Sequence, residues 1–476
     1  MTAAAAPATD VDSVSVRRVG RDSLIADPAM AGVSLDRVSA LRARLAAMGG
    51  LADLSRPLPP RIPPRPPEPP VQRAHALGFV LEGAVLVRRV RVDLGPFLER
   101  AGAPGPAVPA DLIRLLYRLP ATAPAGHSSD LETSVLDIET LGLRGSGVVP
   151  FLVGLGTARG SRLDIDQYLL ADMEWEAAML DAVAARLAGC RVLLSYNGRC
   201  FDIPVLQARC VLNRRPPEAI SAAIHCDLLG PVRRLFRERL GGCTLRRAEE
   251  DLLGLVRADD VPGAEAPARF RAWLDGAPAA VLEGVVRHNQ LDLCATVVLA
   301  ARLTAHAAGQ LVEPVHPADR YRLGVHLESV GIADAAETQL AVAFRDGSSP
   351  WSQPAGHRLA RRLGRHRYTG GLEAQVDVFG ELWRRHPDDL GAARGLAIAL
   401  ERRGEILEAL RVCSEAEAAL SRWVPWRRRL AVVATRGAGP EAEWRRRTER
   451  LRRRQARHAR RGRQAGEASL PLTDGA

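Results

Sequence analysis

The chain has 476 residues, 47% of them hydrophobic, a formal net charge of +11, and no lysine, so every basic side chain except histidine is an arginine. At about 100–200 residues per domain this length accommodates two or three domains, and no apolar run approaches the ~20 residues that a membrane helix needs. Seven scattered cysteines, of which Cys190, Cys200 and Cys210 stand ten apart, match no zinc-ligand spacing and read as reduced thiols. The opening "MTAAAAPATDVDS" lacks the basic and apolar regions of a signal peptide, which makes a cytoplasmic protein the expectation.

Residues 1 to about 75 are rich in Ala, Asp and Pro and end in "RPLPPRIPPRPPEPP", a composition that buries no core and predicts a disordered, extended linker. Residues 76–130 form a small lead-in, in which "LGFVLEGAVLVRRVRVDL" predicts two short strands around Gly83. Between 131 and 305 apolar strands ("TSVLDIET", "FLVGLGTA", "LDIDQYLL") are followed by an amphipathic helix and the strand "RVLLSYN", the pattern of an α/β domain with a mixed sheet. Residues 310–440 are helical in pattern throughout. There a Leu on one helix leads to an Ala on the next after thirteen residues, from Leu323 to Ala336 and again from Leu396 to Ala409. Such recurrent small residues let paired helices approach closely and suggest tetratricopeptide-like repeats. Residues 441–476 form a basic tail, with eleven Arg and one Glu between 445 and 463.

The chemistry concentrates in 131–305. In "SVLDIETLGL", Asp137 and Glu139 interrupt an apolar strand two residues apart and therefore share one face. Adjacent carboxylates repel and raise each other's pKa unless a cation lies between them, and an all-oxygen set suits Mg²⁺ or Mn²⁺. In "LLSYNGRCFDIPVL" a buried strand turns at Asn197 and Gly198 and places Asp202 beside Pro204, at a strand-to-helix junction. In "VVRHNQLDLCATVVLAARL", His288 and Asp292 are i and i+4 on one helix face, with Val285, Leu293 and Val297 set to pack on the sheet. Taken singly, each feature also fits a plainer role: a sheet edge, a helix cap, a solvated helix face.

Together, "LDIETLGL", "YNGRCFDIP" and "HNQLDL", in that order, resemble the DEDD superfamily of 3′-5′ exonucleases on the α/β ribonuclease-H-like fold. The intervening "CDLLGPVRRLFRERLGGCTLRRAEEDLLGLVRADDVPGAEAPARFRAWLDG" looks like the bacterial YprB-type family, often joined to tetratricopeptide repeats. The resemblance implies a two-metal hydrolase of phosphodiester bonds with Asp137, Glu139, Asp202 and Asp292 as ligands and His288 as general base. His-type relatives place that His five residues before the last Asp and Tyr-type relatives place Tyr four before; here a His stands at the four-residue spacing. Thr140 and Leu141 fall where relatives contact the terminal nucleotide, Asn197 either reaches the substrate or orders its turn, and Arg199, Arg209, Arg214 and Arg215 are candidates for a substrate-binding phosphate groove. Asp227 reads as structural or as a support behind the ligands. The implied partners are nucleic acid, with a single-stranded end, and a protein on the helical repeats. The competing expectation is a non-cleaving module that binds nucleic acid or protein.

Overall fold

The computed structural model describes residues 68–103, 105, 116, 133–142, 147–222, 224–258, 260–310, 315–365, 369–423 and 439–467. The linker expected over 1–75 therefore lies outside the described residues up to 67, and its last part is helix α1, Pro70–His75. Strands β1 (Val80–Glu82) and β2 (Val85–Asp93) follow, joined through Gly83 at a left-handed φ of 64°. Helix α2 (Gly95–Ala101) follows, and beyond it Leu116 is buried in the hydrophobic core.

These two strands extend the sheet of the main domain. One seven-stranded sheet has the order β1-β2-β5-β4-β3-β6-β7. Its other members are β3 (Thr133–Leu141), β4 (Val149–Arg159), β5 (Arg162–Leu169), β6 (Val192–Ser195) and β7 (Ile224–Asp227). β3, β4 and β5 form an antiparallel meander, and β2 adds to β5 from Leu86 to Asp93. β6 and β7 lie parallel to β3. Parallel neighbours need crossovers, supplied by α3 (Glu176–Leu187) and α4 (Asp202–Leu212).

Both faces of the sheet are covered, so β3 reads as a near-continuous apolar run. Leu136 and Ile138 pack with Val153, Leu193, and Met179, Leu180 and Leu206 of α3 and α4. Val135 faces the other way, toward Leu293 and Val297 of the 28-residue helix α8 (Ala280–Ala307) and Val232 and Phe236 of α5 (Leu229–Leu240). The short helices α6 (Leu245–Ala248) and α7 (Ala266–Leu274) lie between them in sequence. By strand alternation Asp137 and Glu139 share the α8 side with Val135.

The seating of α8 depends on a glycine. Gly154 of β4 is paired with Asp137 of β3, and a Cβ at Gly154 would stand 2.3 Å from Asn289 Oδ1 and 2.8 Å from Leu293 Cδ1. Only a bare backbone lets the helix cross β4 this closely.

The C-terminal region is a run of packed helices: α9 (Pro317–Ser329), α10 (Ala333–Arg345), α11 (Ser352–Leu363), α12 (Thr369–Arg385), α13 (Leu390–Arg403), α14 (Ile406–Ser421) and α15 (Pro440–Glu467). Leu323, Leu327 and Ala336 share a core with Phe236 and Leu240 of α5, and Arg239 pairs with Asp319 at 2.9 Å. The array is thus continuous with the sheet domain. Ala343, Ala409 and Ala416 are all buried in helix contacts. The Arg-rich segment lies within α15. Trp444 and Leu451 are buried against the array, Arg450 and Arg454 reach Glu401, and Arg445, Arg446, Arg452, Arg453 and Arg457 face outward.

Gly154→Ala is expected to cost about 1–3 kcal/mol by overpacking, read as a lower denaturant midpoint with an unchanged slope. An unchanged midpoint would mean that α8 is not seated through this glycine.

Candidate active site

Three elements converge at the end of β3. The strand is irregular between Glu139 and Thr140, where its register with β4 shifts; such bulges bend a strand and re-aim its side chains. Glu139 is 8% exposed and Asp137 is partly buried. After β6 the chain turns through Asn197, held at φ 68°, and Gly198, where a Cβ would stand 2.5 Å from Ser195 Oγ. Asp227, ending β7, ties this turn down by accepting from the backbone N–H groups of Asn197 (2.8 Å), Arg199 (3.1 Å) and Leu229 (3.0 Å). The turn delivers Asp202 as the first residue of α4, buried, with Oδ1 accepting from the Ile138 N–H at 3.2 Å. That amide lies between the two acids of β3. From above, α8 presents His288 and Asp292, whose Nε2 and Oδ2 are 3.7 Å apart.

The acids lie within one another's field. Burial pushes the Asp137 carboxyl well above its usual range, and the charges of Asp292, Asp202 and Glu139 push it further. Burial, then Asp292 and Asp202, raise Glu139 to about 8. Burial raises Asp202 to about 7 although backbone hydrogen bonds, including that from Ile138, oppose the shift. The pattern is that of carboxylates held together without enough positive charge between them.

Several participants were not singled out in the sequence. Asn289, fully buried, donates from Nδ2 to Asp137 Oδ2 at 2.8 Å and to the Asp137 carbonyl at 3.1 Å. Its Oδ1 accepts from Gln167 Nε2 at 2.8 Å, and Gln167 Oε1 accepts from Arg88 at 2.6 Å. The lead-in strand β2 thereby reaches the site through a polar chain. The signal in the sequence was an amide on the apolar stripe Val285–Asn289–Leu293–Val297, where a hydrophobic residue is expected. Arg257, from the loop after the π-helical turn Glu249–Leu253, is also buried: its Nη2 lies 2.5 Å from Asp292 Oδ1 and 2.6 Å from Glu249 Oε1. Asp260 of the same loop meets His288 Nδ1 at 2.8 Å.

The expected substrate contacts divide. The Thr140 hydroxyl is buried and donates to the Gly142 carbonyl at 2.9 Å, and Leu141 packs beside Phe151 and Trp273. Asn197 is exposed on its turn, and the Arg199 guanidinium donates to the His225 carbonyl at 2.8 Å. Arg209 is forked onto Glu176 at 2.5 Å and Arg215 onto Asp181 at 2.7 Å, so both are committed to α3 rather than to a phosphate groove. Arg214 is held at φ 56°.

Among the described residues no group of three or more His, Cys, Asp or Glu side chains is closed tightly enough to hold an ion. Asn289 occupies one oxygen of Asp137 and Arg257 one of Asp292. The donor set nevertheless fits a hard divalent cation in type, all carboxylate oxygen, and in its unmet negative charge.

A family model of the RNase_H superfamily, RNase_H_2, matches residues 135–304, the span that holds all four carboxylates and His288. Residues 135–304 form a ribonuclease H superfamily domain. An uncharacterized protein, YprB, of Bacillus subtilis strain 168 is 27% identical over 218 residues, 45% of this chain and 52% of its own length, so the match spans about half of that relative. This chain is thus similar both to the ribonuclease H superfamily model and to YprB. The family B DNA polymerase of Pyrobaculum calidifontis is 17% identical with a TM-score of 0.31, over 50% of this chain and 30% of its own, a likeness too loose to bear on function. Ribonuclease H-like nucleases generally use divalent metals, which the acid-rich end of β3 suits. No helix among the described residues is long and apolar enough to cross a membrane.

The raised carboxyls bind protons more tightly in the folded chain than in the unfolded one. Their contribution to stability is therefore fully present below the ordinary value of about 4.5 and is lost as pH rises through about 8. The metal-free protein is expected to melt lower at pH 8 than at pH 5, Glu139→Gln to narrow that gap, and Mn²⁺ to raise the melting temperature more at pH 8. Scanning calorimetry decides it: a gap unaltered by Glu139→Gln would detach it from this cluster.

Proposed function

We propose that the ribonuclease H-like domain is a metal-dependent 3′-5′ exonuclease acting on DNA or RNA. The observation that carries the reading is the meeting of Asp137, Glu139, Asp202 and Asp292 in one poorly solvated place, with the first three driven above their usual range by burial and by neighbouring carboxylates, Asp292 among them in each case. These four would hold two Mg²⁺ or Mn²⁺ ions, which supply the positive charge that acidifies water and neutralises the phosphate. Asp137, on the interior strand β3, would help to hold both ions. Asp202 keeps Oδ1 on the Ile138 amide and offers Oδ2. Asp292 would exchange Arg257 for an ion, and His288 beside it would take the proton of the attacking water at Nε2. The water oxygen forms the new bond to phosphorus. The bond from phosphorus to the 3′ oxygen of the shortened strand breaks, its electron pair leaving with that oxygen, which then takes a proton from solvent. Thr140 and Leu141, which follow Glu139 on β3, and Asn197, on the turn before Asp202, would meet the terminal nucleotide. The helix pairs, read as tetratricopeptide-like, would offer a protein surface, and the outward arginines of α15 a salt-sensitive contact to the nucleic acid backbone.

Asp137→Asn is expected to abolish Mn²⁺-dependent shortening of a 5′-labelled single-stranded oligonucleotide without lowering the metal-free melting temperature, because it removes one of the mutually repelling charges. Parent-like cleavage by the purified variant would refute the ligand assignment. His288→Ala is expected to lower kcat by ~10²–10⁴-fold while Mn²⁺ affinity, read by calorimetry, stays within about twofold. A loss below about threefold would leave His288 without a role as base.

A further inference from the structure

The spacing of His288 from Asp292 departs from the His-type pattern, and the loop after the π-helical turn supplies what that departure lacks. We infer that Asp260 is the positioning residue that fixes the tautomer of His288, an inference that rests on the nuclease reading. Asp260 Oδ1 meets His288 Nδ1 at 2.8 Å, and both side chains are well buried, at 6% and 17% exposure. Neutral imidazole has one N–H and one lone pair. A carboxylate at Nδ1 accepts and cannot donate, so it places the N–H at Nδ1 and leaves the lone pair on Nε2. Nε2 is the nitrogen that faces the candidate site, 3.7 Å from Asp292 Oδ2. Asp260 thus turns the acceptor nitrogen to where water would be deprotonated and would stabilise the imidazolium that forms, the arrangement by which a buried Asp orients a general base.

A rival contact exists. Arg257 Nη1 lies 3.4 Å from the same Nδ1, and as a donor it would favour the opposite tautomer. It is the longer contact, and the ionised acceptor at 2.8 Å makes the stronger bond. Arg257 Nη1 also lies 3.3 Å from Asp260 Oδ2, which fixes which oxygen of Asp260 is left for the imidazole. The loop is itself seated on α8. Val261 is buried against Gly284, one turn before His288, where a Cβ would stand 2.4 Å from Val261 Cγ2, and Gly263 lies over the imidazole, its Cβ position 3.7 Å from Nε2. Asp260 therefore meets His288 from a fixed backbone.

Asp260→Asn tests this with almost no change of shape. Arg257 would draw the carboxamide oxygen and leave the NH₂ group facing Nδ1, which forces the N–H onto Nε2 and removes the acceptor. Asp260→Asn is expected to lower kcat by ~10²–10⁴-fold with KM within about threefold, and the Asp260→Asn/His288→Ala double variant to be no slower than His288→Ala alone. A parent-like kcat, or losses that multiply in the double variant, would overturn the inference. The second readout uses full-length metal-free protein with ¹⁵N-labelled histidine, the His288 signals being those absent from His288→Ala. The parent is expected to show the neutral ring protonated at Nδ1 and Asp260→Asn at Nε2. A parent ring protonated at Nε2 would overturn the inference with no variant needed. If the parent cleaves no oligonucleotide, the nuclease reading fails, and the nitrogen spectra still decide the tautomer.

Discussion

Like charge held together away from water is the condition that the rest of this domain is arranged to tolerate. Carboxylates resist both burial and one another, and a flexible support would relax by letting them swing apart. Here the support is the middle of a seven-stranded sheet packed on both faces, with Leu136 and Ile138 locked on one side and Val135 on the other. The compensating donors include the Ile138 and Asp202 backbone amides, the Asn289 side-chain amide and the Arg257 guanidinium. Each leaves part of the acid set unsatisfied, which is the residual negative field that a divalent cation answers.

Seen this way, the outer parts serve the centre. Gly154 is a backbone notch that brings Asn289 within reach of Asp137. The lead-in strand β2 contributes Arg88, which holds Gln167, which holds Asn289. The helical array begins on α5 and on the buried end of α8, so the helix carrying His288 and Asp292 is clamped by the array at its far end. Asp227 bonds three backbone amides and thereby fixes the turn that sets out Asp202.

What was legible in the sequence was local. Strand alternation put Asp137 and Glu139 on one face, the Asn-Gly turn and Pro204 put Asp202 at a helix start, and helical spacing paired His288 with Asp292. The sheet's alternating pattern and the helical tail were legible for the same reason. The second tier was not. Arg257 and Asp260 lie in an irregular loop with no periodicity to mark them, in a chain where arginine is so common that one more carries no signal. Asn289 lies inside the motif "HNQLDL", but its role depends on a glycine in a distant strand. Arg209 and Arg215 followed a motif closely enough to suggest phosphate contacts, yet their partners lie on α3, more than thirty residues earlier. In the basic segment the dense charge masks Trp444 and Leu451, which at helical spacing pack its first half onto the array.

The order of the acids along the chain has a consequence for the making of the protein. Asp137 leaves the ribosome about 150 residues ahead of Asp292, and at roughly 5–20 residues per second that is an interval on the order of ten to thirty seconds. The meander and its two parallel neighbours are all synthesised within it, but the helix that carries Asn289, His288 and Asp292 is not. Until α8 arrives and settles over Gly154, the nascent chain holds its first three carboxylates beside an open face. The set therefore acquires its fourth carboxylate only after the sheet is complete.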